Sequence, residues 1–330
     1  MKVLVGIPTY NNRASGYSIK DTLAGLANQE EKGFSVLVVA KPCAGDDTLE
    51  LVDSYKDEID LEVLVQRTGY VEEAMNAILE GSKRYDLLLT IDDDAVPNPR
   101  WIKQYIGLFE RFPNLGAITG AVDPPTFDMG YHQRIRSLLL LDRPLIPALD
   151  RYCGYFSDIG LFEFPLRYPG SLVIYSLGLR GVNMGVLCFL LRDFRLPCVS
   201  LRGLGYEWLT GLNVVKQGRD CAVLRKGCDV LHRERTSLSR PTTKEGIYGY
   251  WLEVNLIPYA VSLQSQVNLA KLRSYKEAVR MYSRLVPRTV TKAWSRGLDI
   301  AWAGIEEGWN PERVRRAVIE SVQAFGSCRP

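Results

Sequence analysis

The segment Leu87-Leu88-Leu89-Thr90-Ile91-Asp92-Asp93-Asp94 is an apolar run that ends in three consecutive acids. An apolar run of this kind is typical of a strand that is buried on both faces of a parallel sheet. Three adjacent carboxylates repel one another, and a bound divalent cation would relieve that repulsion. In open α/β sheets, ligands bind beyond the carboxyl ends of the strands. The segment therefore predicts a metal site where the strand ends.

The three acids are expected to point in different directions. Side chains alternate between the two faces of a strand, which places Asp92 and Asp94 on one side and Asp93 on the other. The first and third acids would then share one site. The alternative is a solvated turn, or an acidic cluster before the helix that Asn98-Pro99 begins.

The residues around this segment alternate short β-branched runs with amphipathic stretches. The predicted strands are residues 2–7, 34–40, 61–66, 86–91 and 116–122. The predicted helices are residues 17–28, 47–55, 71–83 and 98–112. Strands and helices in this order predict an α/β fold with a mostly parallel sheet flanked by helices.

The pattern changes after residue 122. Residues 123–170 are rich in Pro, Tyr, Phe and Arg without a regular period, which favours a functional segment. From Ser171 the sequence predicts a strand, a turn at residues 181–185, a helix to Leu191, a helix over residues 206–217 and a hairpin over residues 221–231. Beyond residue 250 the segments are predicted to be helical.

Composition excludes several classes of protein. The 330 residues include 41 basic and 38 acidic side chains, and a net charge of +3 gives no indication of a nucleic-acid partner. Seven scattered cysteines without a C-x-x-C pair argue against a zinc module or a disulfide framework and favour a reducing compartment. The N-terminus is strand-like, and the longest apolar stretch, residues 171–191, is interrupted by polar residues. These features predict a cytoplasmic chain without a signal peptide or transmembrane segment.

Three motifs in order resemble the nucleotide-sugar-dependent glycosyltransferases of the GT-A fold, most closely family 2. Residues 5–11 (VGIPTYN) resemble that family's first strand and nucleotide-binding loop, and residues 69–76 (GYVEEAMN) its G-x-x-x-x-A-x-N helix start. The three acids resemble its D-x-D motif. The resemblance implies a GT-A-like catalytic domain over residues 1–245 and a helical C-terminal region over residues 246–330. The catalytic domain would consist of a nucleotide-sugar half, about residues 1–122, and an acceptor half, about residues 123–245.

The resemblance also implies a divalent cation that neutralises the departing diphosphate. Asp92 and Asp94 would hold it, with Asp94 as the direct ligand. His232 follows a short strand and resembles a late V-x-H metal ligand of many GT-A enzymes. An imidazole beside carboxylates shifts the expected ion from Mg²⁺ toward Mn²⁺. The alternative for His232 is a surface histidine within a basic run.

Residues 205–208 (GYEW) resemble the start of the family helix that carries the catalytic acid. Glu207 would then be the base that takes the proton of an acceptor hydroxyl, and the reaction would invert the anomeric configuration. Tyr206 and Trp208 would offer stacking faces to the acceptor sugar. The alternative is an ordinary glutamate in the first turn of a helix.

The nucleotide sugar would bind along the ends of the first strands. The residues that the resemblance assigns to this pocket are Pro8, Tyr10, Asn11, Lys41, Arg67, Gly69, Asn76 and Asp93. Lys41 stands where the family has an Asp pair that reads the nucleobase, and the alternative for this lysine is a solvated side chain. The expected donor is a UDP- or GDP-sugar.

The expected acceptor is a hydroxyl group of a glycan or of a lipid-linked molecule. The C-terminal region interleaves Trp294, Trp302 and Trp309 with basic residues, a pattern of helices that contact an anionic membrane or pack on the catalytic domain with a solvated basic face. Two other interpretations of the whole chain stay open. One is a retaining glycosyltransferase or a nucleotidyltransferase on the same fold. The other is a non-catalytic protein that binds a sugar or nucleotide.

Overall fold

The computed structural model describes residues 1–123, 143–164, 171–203, 205–233 and 241–327. Of the irregular segment over residues 123–170, residues 123 and 143–164 lie within these ranges. Residues 124–142 and 165–170 of that segment lie outside the described residues.

The strands form one large and two small sheets. The large sheet has eight strands in the order β10-β12-β6-β11-β4-β1-β2-β3, and the small sheets are β5-β13-β7 and β8-β9. The strands are β1 Val3–Tyr10, β2 Phe34–Lys41, β3 Leu61–Val65, β4 Leu87–Ile91, β5 Ala95–Pro97, β6 Leu115–Thr119, β7 Val122–Asp123, β8 Tyr155–Phe156, β9 Phe162–Glu163, β10 Val173–Tyr175, β11 Asn183–Leu187, β12 Asp220–Leu224 and β13 Val230–His232.

Helices cover the sheet and form the C-terminal region. The α-helices within the described ranges are α1 Ile19–Ala27, α2 Thr48–Asp53, α3 Val71–Gly81, α4 Trp101–Arg111, α5 Tyr206–Lys216, α6 Lys244–Val254, α7 Ile257–Ser262, α8 Leu269–Leu285, α9 Thr289–Glu306 and α10 Pro311–Ser327. Pairing is parallel from β4 through β1 and β2 to β3. The predicted α/β architecture with a largely parallel sheet is therefore confirmed.

The two faces of β1 explain why its sequence is apolar throughout. Leu4 belongs to a core cluster with Ile78 of α3, whereas Val3 and Val5 belong to a second cluster with Leu23 of α1. Because side chains of a strand alternate between its faces, a strand with helices on both sides needs apolar residues at successive positions. The continuous apolar run of β1 follows from this position within the sheet.

Two predictions for the second half of the chain are wrong. Residues 183–187, predicted as part of a turn and a helix, form β11, which lies antiparallel between β4 and β6. A Cβ atom at Gly185 would lie 2.7 Å from the ring of Tyr105, so the glycine that suggested a turn instead admits a buried ring beside the strand. The predicted hairpin over residues 221–231 is absent, because β12 joins the large sheet and β13 pairs with β5 and β7.

The C-terminal helices pack on the α/β part of the chain and on one another. Tyr248 of α6 stacks on Phe325 of α10 with ring centroids 4.1 Å apart. Trp294 packs edge-on against Trp251, and the indole nitrogens of Trp302 and Trp309 donate to nearby glutamates. These half-buried tryptophans thus serve helix packing. Among the helices in the described ranges, none combines the length and apolar character that crossing a bilayer requires.

Candidate active site

The three consecutive acids make different contacts: Asp93 bonds to the protein interior, whereas Asp92 and Asp94 lie together at one site. Asp93 is buried and accepts hydrogen bonds from the Thr9 hydroxyl at 2.5 Å and from Asn12 Nδ2 at 2.7 Å. It therefore ties the end of β4 to the loop after β1. Asp92 and Asp94 contribute oxygens to a different cluster, and all three acids lie in the turn between β4 and β5.

His232 joins this cluster through the small sheet. β13 pairs antiparallel with β5, and His232 lies opposite Ala95, next to Asp94. The His232 Nε2 atom lies 3.2 Å from Asp94 Oδ1, and the Arg233 amide donates to the Asp94 carbonyl at 3.0 Å. A three-residue strand thus brings this histidine to an acid that lies far from it in the sequence.

The donor atoms of Asp92, Asp94 and His232 fit one divalent cation. One atom from each lies within 4.8 Å of the other two. Two ligands at about 2.1 Å from an ion and at a right angle to each other lie about 3.0 Å apart, close to the His232–Asp94 spacing. Two carboxylates and an imidazole suit Mn²⁺, and carboxylate oxygens suit Mg²⁺.

Glu207 stands in the first turn of α5, beside the cluster. Its Oε1 accepts the Gly181 amide at 3.4 Å. The pKa of Glu207 is raised to about 7, mainly by burial and to a smaller extent by the nearby charge of Asp92. Gly181 is required here, because a Cβ atom at this position would lie 1.6 Å from the Tyr206 hydroxyl. The arrangement places a carboxyl group with a raised pKa beside a cluster that could hold a metal ion.

Tyr206 and Trp208, the predicted acceptor contacts, are both buried. Trp208 packs among Phe156, Phe162 and Phe164, with ring centroids 4.8–5.7 Å away. Its ring therefore contributes to the core that supports α5. A role for either residue in contacting the acceptor stays a prediction.

Tyr250 is a further residue near the site, and no sequence motif indicated it. This tyrosine lies on α6, where burial raises its pKa and the charge of Glu207 raises it further. Its phenol is thus close to the Glu207 carboxyl, although it belongs to the C-terminal helices. The aromatic run at residues 248–251 was the available signal, but nothing local relates it to Glu207.

Several of the residues predicted for the nucleotide pocket lie where β1 and β2 end. Tyr10 lies opposite Lys41 in the parallel pairing, and Pro8 lies two residues earlier on β1. Lys41 Nζ donates to the Gly69 carbonyl at 2.5 Å and lies 5.8 Å and 5.3 Å from the ring centroids of Tyr10 and Tyr70. The lysine thus connects two tyrosines whose rings are partly open to solvent.

Two features of the backbone shape this region. Asn11 has a φ of 46°, in the left-handed region that asparagine tolerates better than most residues, and its amide donates to the Lys41 carbonyl. Gly69 has a φ of 89°, and a Cβ atom there would lie 2.8 Å from the Glu73 side chain. Both turns therefore depend on the residue types present.

The other two predicted pocket residues are placed differently. Arg67 lies just beyond β3 with an exposed side chain. Asn76 lies on α3, where its amide donates to the Leu196 carbonyl at 3.0 Å and its oxygen accepts the Leu196 amide at 2.8 Å. The structure thus uses Asn76 to anchor the chain near Leu196, and contact of either residue with a nucleotide sugar stays a prediction.

Comparison with known proteins gives a family and a set of similar folds. The model of glycosyl transferase family 2 matches residues 4–168. No curated protein sequence matches the chain.

Several solved structures are similar in fold. Residues 1–349 of S. aureus TarS in complex with UDP-GlcNAc share 16% identity with a TM-score of 0.55, over 93% of this chain and 92% of that one. The mannosyltransferase PcManGT from Pyrobaculum calidifontis in complex with GDP-Man and Mn²⁺ shares 13% identity with a TM-score of 0.51, over 99% of this chain and 76% of that one. In a longer S. aureus TarS structure, with 20% identity and a TM-score of 0.50, the match covers 86% of this chain and 44% of that one.

Proposed function

The chain belongs to glycosyl transferase family 2 and is a glycosyltransferase, and from that premise we propose that it moves a sugar from a UDP- or GDP-sugar to a hydroxyl acceptor with inversion. The observation that carries this proposal is the position of Glu207, a carboxyl group with a pKa of about 7 beside the Asp92–Asp94–His232 cluster. A general base works best when its pKa lies near the operating pH.

Glu207 takes the proton of the acceptor hydroxyl. As the acceptor oxygen forms its bond to the anomeric carbon, the bond from that carbon to the diphosphate breaks and the nucleoside diphosphate leaves. The proton passes to the Glu207 carboxylate, and attack opposite the leaving group inverts the anomeric centre. The Gly181 amide holds Oε1 of Glu207 during this transfer.

Asp92, Asp94 and His232 would hold a divalent cation. When bound, this ion supplies positive charge that offsets the charge of the departing diphosphate. The imidazole in the set favours Mn²⁺ over Mg²⁺. PcManGT, which is similar in fold, was solved with Mn²⁺, and this supports the same choice.

The nucleotide binds where Tyr10, Lys41 and Gly69 meet, with Asn11 and Arg67 at the edges of the pocket. A tyrosine ring offers a stacking face to a base, and a lysine offers a charge to a phosphate or a donor to a base oxygen. The ligands of the similar structures, UDP-GlcNAc in TarS and GDP-Man in PcManGT, support a UDP- or GDP-sugar as the donor. The acceptor is a hydroxyl group of a glycan or a lipid-linked molecule.

A thermal-shift screen of UDP- and GDP-sugars with and without Mn²⁺ tests this function. A ligand that binds the native state raises the melting temperature Tm, and we expect a nucleotide sugar to do so more strongly with Mn²⁺ than without. Asp94→Asn should abolish the Mn²⁺-dependent part of the shift, whereas Asp53→Asn, on an exposed site of α2, should keep it. A wild-type chain that neither class of donor stabilises would contradict the proposal.

The other two interpretations predict different results. A retaining transferase or a nucleotidyltransferase would bind donor but would depend little on Glu207. A non-catalytic binding protein would bind donor with no metal-dependent release of nucleotide. A measurement of nucleotide release in the wild type and in Glu207→Gln separates all three.

We also propose that the end of α8 contacts an anionic membrane surface. Met281, Tyr282 and Leu285 are exposed there, Leu285 to 75%, and they lie beside the exposed basic residues Arg284 and Arg288. Apolar side chains flanked by arginines fit an interface where acyl chains lie below anionic headgroups.

Sedimentation with vesicles tests this contact. We expect the chain to bind vesicles that contain phosphatidylglycerol and to ignore vesicles of phosphatidylcholine alone. Leu285→Glu should abolish binding, whereas Leu269→Glu, at the other end of the same helix and also exposed, should keep it. Equal binding by the two variants would overturn the contact at this end of α8.

A further inference from the structure

The last helix reaches the loop that the proposed function assigns to the donor. Arg315 of α10 donates from Nη2 to Glu72 at 2.8 Å, and its Nη1 pairs with Glu73. Both acids lie in the first turn of α3, directly after the loop of Gly69 and Tyr70. The Arg315 side chain is 13% exposed, so solvent screens this contact far less than it screens a surface ion pair.

Arg315 contacts the loop as well as the helix behind it. Its guanidinium carbon lies 5.2 Å from the centroid of the Tyr70 ring. Lys41 lies 5.3 Å from the same centroid, and Tyr10 contacts Lys41 in turn. A column of alternating cations and rings therefore runs from α10 to Tyr10, at the end of β1, and its members hold one another by cation–π attraction.

Glu73 transmits the position of Arg315 to the backbone of the loop. Its Oε2 accepts the Tyr70 amide at 2.8 Å while the same carboxylate pairs with Arg315. The side chain also packs where a Cβ atom at Gly69 would stand. Movement of the guanidinium would therefore displace the Gly69–Tyr70 turn, whose carbonyl receives the Lys41 ammonium.

Glu72 connects the same arginine to the chain segment that precedes α5 and Glu207. Its two oxygens accept the Ser200 amide at 3.0 and 3.2 Å. Ser200 in turn accepts the Gly203 amide at 2.7 Å, just before α5 and Glu207. One side chain from the C-terminal region thus holds two acids, one linked to the donor loop and the other to the chain that precedes the base.

We propose that Arg315 is a positioning residue for the donor: α10 fixes the Gly69–Tyr70 loop from behind, so the C-terminal helices form part of the nucleotide site. This inference rests on the proposed function, because it assumes that a nucleotide binds at Tyr10, Lys41 and Gly69. Arg315 would act through Tyr70 and Glu73 and need not touch the nucleotide.

Calorimetric titration of UDP and GDP with Mn²⁺ into the full chain tests the proposal. We expect Arg315→Gln to raise the dissociation constant about tenfold, the range for a lost hydrogen bond to a charged group. The matched control is Arg316→Gln on the same helix, since Arg316 is 67% exposed and pairs only loosely with Glu312 at 3.6 Å. Its dissociation constant should stay within about twofold of wild type, as expected for an exposed pair.

Kinetics distinguish positioning from a general loss of stability. Below the Tm of each variant, the donor KM should rise about tenfold in Arg315→Gln while kcat changes less than about threefold, because the lost interaction serves binding and not the chemical step. Arg315→Lys keeps the charge and loses the planar fork, so its KM should lie between those of wild type and Arg315→Gln. An unchanged KM with a lowered kcat would overturn the proposal.

A second variant covers the case in which Arg315→Gln does not fold. Glu73→Gln keeps the Arg315–Glu72 pair and should weaken nucleotide binding in the same direction by a smaller factor. If Glu73→Gln binds like wild type, the inference is wrong and the proposed function stands. If the wild-type chain binds neither UDP nor GDP with Mn²⁺, the proposed function fails and the inference fails with it.

Discussion

Two glutamates in different parts of the molecule share one property and differ in their neighbours. The pKa of both Glu207 and Glu72 is raised to about 7, with burial as the largest cause. For Glu207 the charge of nearby Asp92 adds to the effect of burial, whereas for Glu72 the Ser200 amide and Arg315 partly offset the effect of burial. A perturbed pKa alone therefore does not distinguish a base from a buried structural acid. The neighbours do, because only Glu207 adjoins the cluster that can hold a metal ion.

The largest expected effect is a difference in kcat between variants of the two glutamates. Glu207→Gln removes the proposed base and should lower kcat by about 10² to 10⁴-fold, with donor binding retained. Glu72→Gln should leave kcat within a few fold and act on the donor KM. Rates of nucleotide release with saturating donor and acceptor give both values. An equal loss of kcat in the two variants would contradict the different roles proposed for Glu207 and Glu72.

Removal of the metal site should give the next largest effect. Asp94→Asn should lower turnover roughly 100-fold, because a carboxylate ligand of a charge-neutralising ion is lost. It should also weaken the dependence of activity on added Mn²⁺, and His232→Ala should do the same to a smaller extent. Titration of activity against Mn²⁺ in the wild type and both variants measures this. A variant with an unchanged Mn²⁺ dependence would exclude its residue from the ligand set.

The dependence of rate on pH should sharpen the comparison. Glu207 must be ionised to accept a proton, and its pKa is raised to about 7. We therefore expect kcat/KM to fall about tenfold for each pH unit below 7, the slope of a single required ionisation. The same slope should persist in Glu72→Gln. If kcat/KM no longer fell below pH 7 in Glu72→Gln, the required ionisation would belong to Glu72 and not to Glu207.

The smallest expected effect is on stability. A carboxyl group whose folded pKa lies above its unfolded value stabilises the fold at low pH, and this contribution is lost as pH rises from about 4.5 to 7. Glu207→Gln does not show this loss. The free energy of unfolding of the variant, relative to wild type, should therefore be higher at pH 8 than at pH 5 by about 1–2 kcal/mol, after a discount for partial exposure. In Glu72→Gln the gain should be offset by the lost pairing with Arg315. Thermal unfolding of each variant and wild type at both pH values measures the difference.

The sequence predicted those parts of the molecule that depend on local pattern. The apolar run before Asp92 and the alternation of strands and helices gave the parallel half of the sheet, because burial on both faces constrains every position of a strand. The motif at residues 205–208 pointed to α5, which begins at Tyr206. These elements carry their signals within a few residues.

The remaining features depend on pairings that no local signal encodes. β11 is a short strand with a central glycine, and it pairs with β4 and β6 while the Tyr105 ring packs against Gly185. Arg315 and Glu72 are 243 positions apart, and neither residue type is unusual in its own helix. Tyr250 approaches Glu207 only because α6 packs back on the α/β part of the chain. Such contacts require the folded chain.

The buried hydrogen bonds of Asp93 constrain how this enzyme can be altered. Thr9 and Asn12 hold the middle acid, and this fixes which way its two neighbours point. Insertion or deletion of a single residue between Thr90 and Ala95 would reshape the turn that presents Asp92 and Asp94 and change the spacing of both carboxylates from His232. Loop grafts aimed at a new donor specificity should therefore preserve the length of this turn, even where they replace everything around it.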